Sequence, residues 1–238
     1  MSVDFANINA SFFDLLEDYN QLTEQDSFDP EDRVKRLLNL VQKAKEDIAN
    51  KNSASAFFWY GEHLIEGYEG FPIQVDEGIK YVNEAAMMRS TDALSCLGDV
   101  YSGLCVNVPE DRIDFDKAIR NYTKAFDSGS GYAGYRLACI YGGDPETHKD
   151  VRKALDCLER SAEVHQDENS LYLMSRWHYF GEHLQQDFNK AYEFSKKVID
   201  NSKTGKPETP RQAQATFIMG IMTAVSYTHL TLPTTPYV

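Results

Sequence analysis

One pattern recurs five times along the chain and constrains its fold more than any other feature. Each occurrence places a small residue four positions before a larger, mostly apolar residue, called here position 0 of the repeat. The small residues, at position −4, are Ala56, Ala93, Ala133, Ser170 and Ala215, and the position 0 residues are Tyr60, Leu97, Leu137, Met174 and Met219. Successive occurrences are 37, 40, 37 and 45 residues apart. Self-similarity at such a period is the signature of stacked structural repeats.

The spacing predicts that each occurrence is an amphipathic helix. Positions −4, 0 and +4 share one helical face and are expected to lie in the core. Position +1 is small in every repeat: Gly61, Gly98, Ala138, Ser175 and Gly220. Because glycine inside a helix costs about 1 kcal/mol relative to alanine, its recurrence indicates that another helix approaches closely there.

A second helix is predicted in each of the first four repeats. It carries a small residue (Gly78, Ala118, Ala154, Ala191) and a second predicted core position eight residues later (Ala86, Phe126, Ala162, Ile199). In three repeats an aspartate stands where it can cap the helix N-terminus: Asp114, Asp150 and Asp187. Pro72, Pro109 and Pro145 fall between the two helices, where the chain must turn.

The repeat resembles the Sel-one-like repeat of the tetratricopeptide-like superfamily. The resemblance is carried by strings such as Leu97-Gly98-Asp99-Val100-Tyr101 and by the run from Asp116 to Ala125. It implies an all-α fold, a right-handed α-solenoid of antiparallel helix pairs, that serves as a scaffold for protein–protein interaction. The cysteine-rich members of the family suggest an alternative, a secreted hydrolase or penicillin-binding relative. A lumenal adaptor for protein degradation is a further role known in the family.

The repeats divide the chain into three predicted parts. Residues 54–222 hold four complete repeats and the first helix of a fifth. Residues 1–53 are predicted to form a helical capping region, interpreted as a degenerate repeat. Residues 223–238 contain no charged residue and do not follow the pattern. Their string SYTHLTLPT resembles translated sequencing adaptor, which favours a sequence artefact over a natural tail.

Charge and cysteine placement narrow the classes of partner. The formal net charge of −13 repels phosphate backbones and anionic lipid, so neither nucleic acid nor membrane is an expected partner. The start of the chain lacks the features of a secretory signal, and a cytoplasmic location is predicted. Cys96, Cys105, Cys139 and Cys157 fit no zinc spacing and share no common repeat phase, so reduced thiols are expected.

Catalytic motifs are not found. His178 and His183 are five residues apart, unlike the four-residue spacing of a zinc helix. Lys203-Thr204-Gly205 matches a fragment of penicillin-recognising enzymes, but no Ser-x-x-Lys occurs to supply a nucleophile. The sequence therefore predicts a protein without catalytic residues, cofactor or metal.

The sharper prediction concerns binding. Positions −2 and +2 project away from the predicted core face, and the resemblance implies that they line a concave groove. Four of the five residues at position −2 are aromatic, although a solvated face would be polar. A peptide-binding groove is therefore predicted from Phe58, Glu62, Asp99, Tyr132, Tyr135, Arg136, Tyr172, Arg176 and Tyr179. The alternative, in which these aromatic residues only pack against neighbouring helices, stays open.

Overall fold

In a computed structural model, the described residues (11–23, 29–143, 145–201 and 209–231, with side chains in the last helix as far as Met222) form eleven α-helices and no strand. The helices are α1 Phe12–Thr23, α2 Pro30–Asn50, α3 Ala54–Glu66, α4 Val75–Met87, α5 Thr91–Ser102, α6 Phe115–Asp127, α7 Gly131–Gly142, α8 Val151–Glu163, α9 Glu168–Phe180, α10 Phe188–Asp200 and α11 Pro210–Thr231. The prediction of an all-α repeat fold is confirmed.

Each repeat is a pair of helices, and the pair α3–α4 shows that the two run antiparallel. Ile65, near the end of α3, lies against Gly78 at the start of α4, whereas Phe57 at the start of α3 lies against Tyr81, further along α4. Gly61 lies between them, and a Cβ atom on it would come within 2.8 Å of the Gly78 carbonyl oxygen. The predicted close approach at position +1 is therefore confirmed in this pair.

The first helices begin in the same way, through a cap that the sequence analysis overlooked. The side chains of Ser53, Ser90, Ser130 and Asp167 each accept a hydrogen bond from the backbone N–H of the small residue three positions later. That residue is the small residue at position −4 in every case. Because the cap satisfies a free N–H group at the helix start, the small residue is fixed in the first turn of its helix.

The second helices use the predicted aspartate caps. Asp114 accepts from the Lys117 N–H at 2.9 Å, Asp150 from Lys153 at 3.2 Å and Asp187 from Lys190 at 3.1 Å. In the first repeat Gln74 stands at the cap of α4 and makes no side-chain capping bond.

The predicted core positions of the first helices are buried. All five residues at position −4 are fully buried, with 0% of their surface exposed. In the second helices the position eight residues after the small residue is buried at Phe126 and Ala162, but only half-buried at Ala86 and Ile199. The positions that are fully buried in all four second helices lie four and seven residues after it: Val82, Tyr122, Leu158, Ser195, and Ala85, Ala125, Ser161, Val198. A helical period of 3.6 residues brings these offsets closer to the small residue's own face than an offset of eight.

The chain divides into two compact units, Met1–Ala125 and Phe126–Val238. In the first unit, Phe12 and Tyr19 of α1 bury themselves against Leu40 and Ala44 of α2 and Trp59 of α3. A second core of the same unit is built from α3, α4 and α5. The core of the second unit is built from α7 to α11.

Helix α11 extends beyond the predicted end of its repeat helix. The sequence predicts an end at Met222, but α11 continues to Thr231. Residues 232–238 of the predicted non-repeat tail lie outside the described residues.

Candidate binding faces of the first helices

All nine residues predicted for the groove are half-buried, which means that each packs on the core with part of its surface and keeps the rest accessible. Phe58, Glu62 and Asp99 belong to the first unit, and the other six belong to the second. The two units carry different chemistry on these positions.

In the first unit the positions form an acidic face, defined here as Glu62, Glu66, Asp92 and Asp99. Burial, and to a smaller extent the negative charges of Glu66, Asp92 and Asp99, raise the pKa of Glu62 to about 7. The hydroxyl of Tyr122, itself fully buried, donates to the Asp99 carboxylate at 2.5 Å. Phe58 lies beside this face and packs against the core of the unit. With a pKa near 7, the Glu62 carboxyl is protonated in a substantial fraction of the molecules at neutral pH.

Two cysteines lie close to the acidic face. Burial raises the pKa of the Cys96 thiol and of the Cys105 thiol, and the carboxylates of Glu62, Glu66 and Asp99 add to the effect. Because the thiolate is the nucleophile and is disfavoured here, these thiols are poorly reactive at neutral pH. The cysteines Cys96, Cys105, Cys139 and Cys157 are not joined in disulfides in the structure.

In the second unit the positions form a tyrosine–arginine face, defined here as Tyr132, Tyr135, Arg136, Tyr172 and Arg176. The Tyr132 and Tyr135 rings lie 6.4 Å apart, and the Arg136 guanidinium lies 5.7 Å from the centre of the Tyr135 ring. Tyr135 and Tyr172 both pack against the core of the unit. Burial raises the pKa of the Tyr135 phenol, so its hydroxyl stays protonated at neutral pH and can donate a hydrogen bond.

Tyr179, the last of the nine residues predicted for the groove, packs with two phenylalanines. Its ring lies 4.9 Å from Phe180 and 5.7 Å from Phe188, at the turn between α9 and α10. Arg176, a member of the tyrosine–arginine face, is already paired, with its guanidinium 2.9 Å from the Glu182 carboxylate. These two residues therefore contribute less free polar surface than the prediction assumed.

The sequence analysis missed two residues that join the tyrosine–arginine face. Arg211, in the first turn of α11, lies with its guanidinium 5.0 Å from the centre of the Tyr172 ring. It donates to the side-chain oxygen of Asn169 at 3.2 Å and to the Tyr135 hydroxyl at 3.3 Å. Asn169 lies five residues before position 0 of its repeat, and Tyr132 has the same place in its own repeat. Had the groove prediction included polar as well as aromatic residues at that place, it would have named Asn169.

The histidines are held by structural contacts. His63 donates through Nδ1 to the Trp59 carbonyl oxygen at 2.8 Å, and the two rings lie 4.1 Å apart. His178 stacks on Phe194 at 5.9 Å, and His183 lies 4.7 Å from the Trp177 ring. Across the described residues, no group of three or more His, Cys, Asp or Glu side chains is arranged to hold a metal ion. Within the same ranges no helix has the length and hydropathy needed to span a bilayer.

Comparison with solved structures identifies the fold. No protein-family model and no curated protein matches the sequence. Among solved structures, the chain is similar to a Sel1 repeat protein from Oxalobacter formigenes, with a TM-score of 0.63 and 19% identity over 89% of this chain and 88% of that one.

A second similar structure is c5321, a protective antigen of uropathogenic Escherichia coli that displays an SLR fold. It matches with a TM-score of 0.64 and 19% identity over 91% of this chain. This chain spans 41% of the antigen's length. At this identity the likeness defines the fold, and it agrees with the repeat pattern read from the sequence.

Proposed function

Because the chain has the Sel1-like repeat fold, we propose that it is a non-catalytic, cytoplasmic scaffold that binds a peptide segment of a partner protein on the faces of its first helices. The observation that carries the proposal is the residue content of those faces. Phe58, Tyr135 and Tyr172 occupy the outward position −2, and each is half-buried on the core with part of its ring accessible. Partly exposed aromatic residues and arginines are the types enriched at binding hot spots.

The charges of the two faces support a polypeptide partner. The first unit presents the acidic face, and the second presents Arg136, Arg176 and Arg211 among tyrosines. A basic segment would find complementary charge on the acidic face and an acidic segment on the tyrosine–arginine face, and such complementarity favours specificity and rapid association. A chain with a net charge of −13 offers little attraction to nucleic acid or anionic membrane.

The chemistry of the faces does not favour an enzyme. The buried thiols of Cys96 and Cys105 have raised pKa values, and the polar groups that surround Arg211 are neutral side chains. Covalent catalysis needs a nucleophile whose pKa is lowered or whose proton is taken by an adjacent base. The cysteine-rich alternative also finds no support in the four free cysteines.

The proposal is tested by selecting binders from a displayed library of random twelve-residue peptides on the immobilised full chain. Affinities of the selected peptides are then measured by fluorescence anisotropy. We expect Tyr135→Ala combined with Tyr172→Ala to weaken binding at least roughly thirtyfold, since each hot-spot aromatic contributes about 1–2 kcal/mol. Tyr192→Ala is the matched control, because Tyr192 is a 39% exposed tyrosine on α10, a second helix.

Circular dichroism of each variant separates binding from folding. The proposal stands if the double variant keeps its helical signal and loses the peptide while the control keeps both. It is wrong if the library yields no peptide that binds the chain, or if the folded double variant binds as tightly as the unmodified chain.

A further inference from the structure

Arg211 is held in place by contacts from three helices. Its Nε donates to Asn169 of α9 at 3.2 Å, one terminal nitrogen donates to the Tyr135 hydroxyl of α7 at 3.3 Å, and the other donates to Gln214 of α11 at 3.3 Å. Its guanidinium plane is further supported by the Tyr172 ring, whose centre is 5.0 Å away. The side chain is therefore fixed before any ligand arrives, which lowers the entropic cost of binding.

All of these partners are neutral. Arg33, Arg36, Arg112 and Arg176 each hold a carboxylate, of Glu69, Asp32, Asp76 and Glu182 respectively. By contrast, Arg211 forms no ion pair within the described ranges, and the carboxylate of Glu168, at the start of α9, is taken by Thr209 and Gln212. Among the described residues, no carboxylate is therefore paired with the half-buried Arg211.

A guanidinium carries five N–H donors in a rigid fork. Three of them are directed at Asn169, Tyr135 and Gln214, which leaves one N–H on each terminal nitrogen. N–H groups on the two terminal nitrogens of one guanidinium can bind the two oxygens of a carboxylate, and such paired bonds to an anion are among the strongest hydrogen bonds in proteins.

We propose that Arg211 binds the side-chain carboxylate of an aspartate or glutamate in the partner segment, with Tyr135 and Tyr172 packing against the residues beside it. The inference rests on the proposed function, because it names the partner chemistry of the same face. Charge complementarity selects an acidic residue at this guanidinium.

The experiment uses the peptides selected from the random library on the full chain. We expect them to share an aspartate or glutamate, and replacement of that residue by asparagine or glutamine to weaken binding about tenfold. On the Arg211→Gln protein the acidic and amide peptides should bind equally. Arg211→Lys should restore only part of the preference, since lysine keeps the charge but lacks the fork. Arg152→Gln is the matched control, because Arg152 is an exposed arginine on α8 of the same unit.

The outcomes separate this inference from the proposed function. If peptides bind through Tyr135 and Tyr172 but show no acidic preference, or if Arg211→Gln leaves that preference intact, the inference is wrong and the proposed function stands. If no peptide binds the chain, both are wrong. A preference that disappears with Arg211→Gln and persists with Arg152→Gln supports both.

Discussion

The helix pairs α3–α4 and α9–α10 solve the same packing problem with different chemistry. In the first pair, Gly61 and Gly78 bring two backbones together, so that a Cβ on either glycine would come within 2.8 Å of the other's carbonyl oxygen. In the second pair, Ser175 at the equivalent position donates to the Ala191 carbonyl oxygen at 3.0 Å and lies 2.6 Å from the Ser195 hydroxyl. The residue at position +1 must therefore be small. With a glycine there the two helix backbones come close together, and with a serine the two helices are joined by hydrogen bonds.

The difference predicts that enlarging the glycine is the more damaging change. Gly61→Ala should lower the free energy of unfolding by about 3 kcal/mol, because the added methyl group would meet the Gly78 backbone and Val82, and this outweighs the higher helix propensity of alanine. Urea unfolding followed by circular dichroism measures the loss. Gly142→Ala is the control, since its Cβ would find ordinary contact at 3.4 Å from Trp177. Equal stability of the two variants would contradict the close approach.

In the pair α9–α10, the stability should depend on the hydrogen bonds of Ser175 more than on the size of its side chain. Ser175→Ala removes two buried bonds and leaves the Ser195 hydroxyl without this partner, at a cost of about 2 kcal/mol. Ser175→Ala with Ser195→Ala should recover part of the loss, because no hydroxyl then stays unpaired. If the single variant is as stable as the unmodified chain in urea, the serine pair does not hold α9 to α10.

The acidic face predicts a pH dependence confined to the first unit. Because the folded-state pKa of Glu62 is raised to about 7, the folded state binds its proton more tightly than the unfolded state, and stability is lost as the pH rises from about 4.5 through 7. Glu62→Gln should therefore raise the stability at pH 8 by about 1.5 kcal/mol, a value reduced for the partial exposure of the side chain.

The measurement needs a probe of unfolding in each unit, and the chain has one tryptophan in each. Trp59 lies in the first unit and Trp177 in the second, and they are the two tryptophans of the sequence. Fluorine NMR of 5-fluorotryptophan protein follows both in a single urea titration. The exposed Glu84→Gln on α4 is the control. A Trp59 midpoint that Glu62→Gln leaves unchanged at pH 8 would contradict the raised pKa.

The second unit should respond to pH in the opposite direction. Burial lowers the pKa of His178, and its Nδ1 has no hydrogen-bond partner in the described chain. The unfolded state therefore takes up the proton first, and stability is lost as the pH falls below about 6.5. His178→Leu should remove that loss, because leucine takes up no proton and Leu64 fills the same repeat position in the first unit with 3% exposure. A Trp177 midpoint with the same acid sensitivity in both proteins would assign the loss to another group.

The fold was predictable because small residues recur at a fixed spacing, which marks the places where helices pack closely. The column from Ala56 to Ala215 is fully buried as expected, and Asp114, Asp150 and Asp187 cap the helices that they were expected to cap. The position eight residues after the small residue is only half-buried at Ala86 and Ile199, because that offset turns further from the small residue's face than offsets of four and seven.

The site was harder to predict than the fold, since its chemistry depends on contacts between distant helices. The residues predicted for the groove are half-buried, but the ion pair of Arg176 with Glu182 and the place of Tyr179 beside Phe188 follow from a turn that the repeat pattern does not describe. Arg211 was missed because its contacts to Tyr135 and Asn169 span 76 and 42 residues. No periodic signal connects such positions.

The central claim is that polypeptide binds on the first helices, and site-specific photo-crosslinking tests it most directly. The photoreactive residue p-benzoylphenylalanine is placed at Tyr132, Tyr172 or Tyr192, all in the second unit, one position per protein, and each protein is irradiated with the tightest peptide from the library. The account predicts adducts from Tyr132 and Tyr172 and none from Tyr192 on the second helix α10. Adducts from Tyr192, with none from the two first-helix positions, would contradict it.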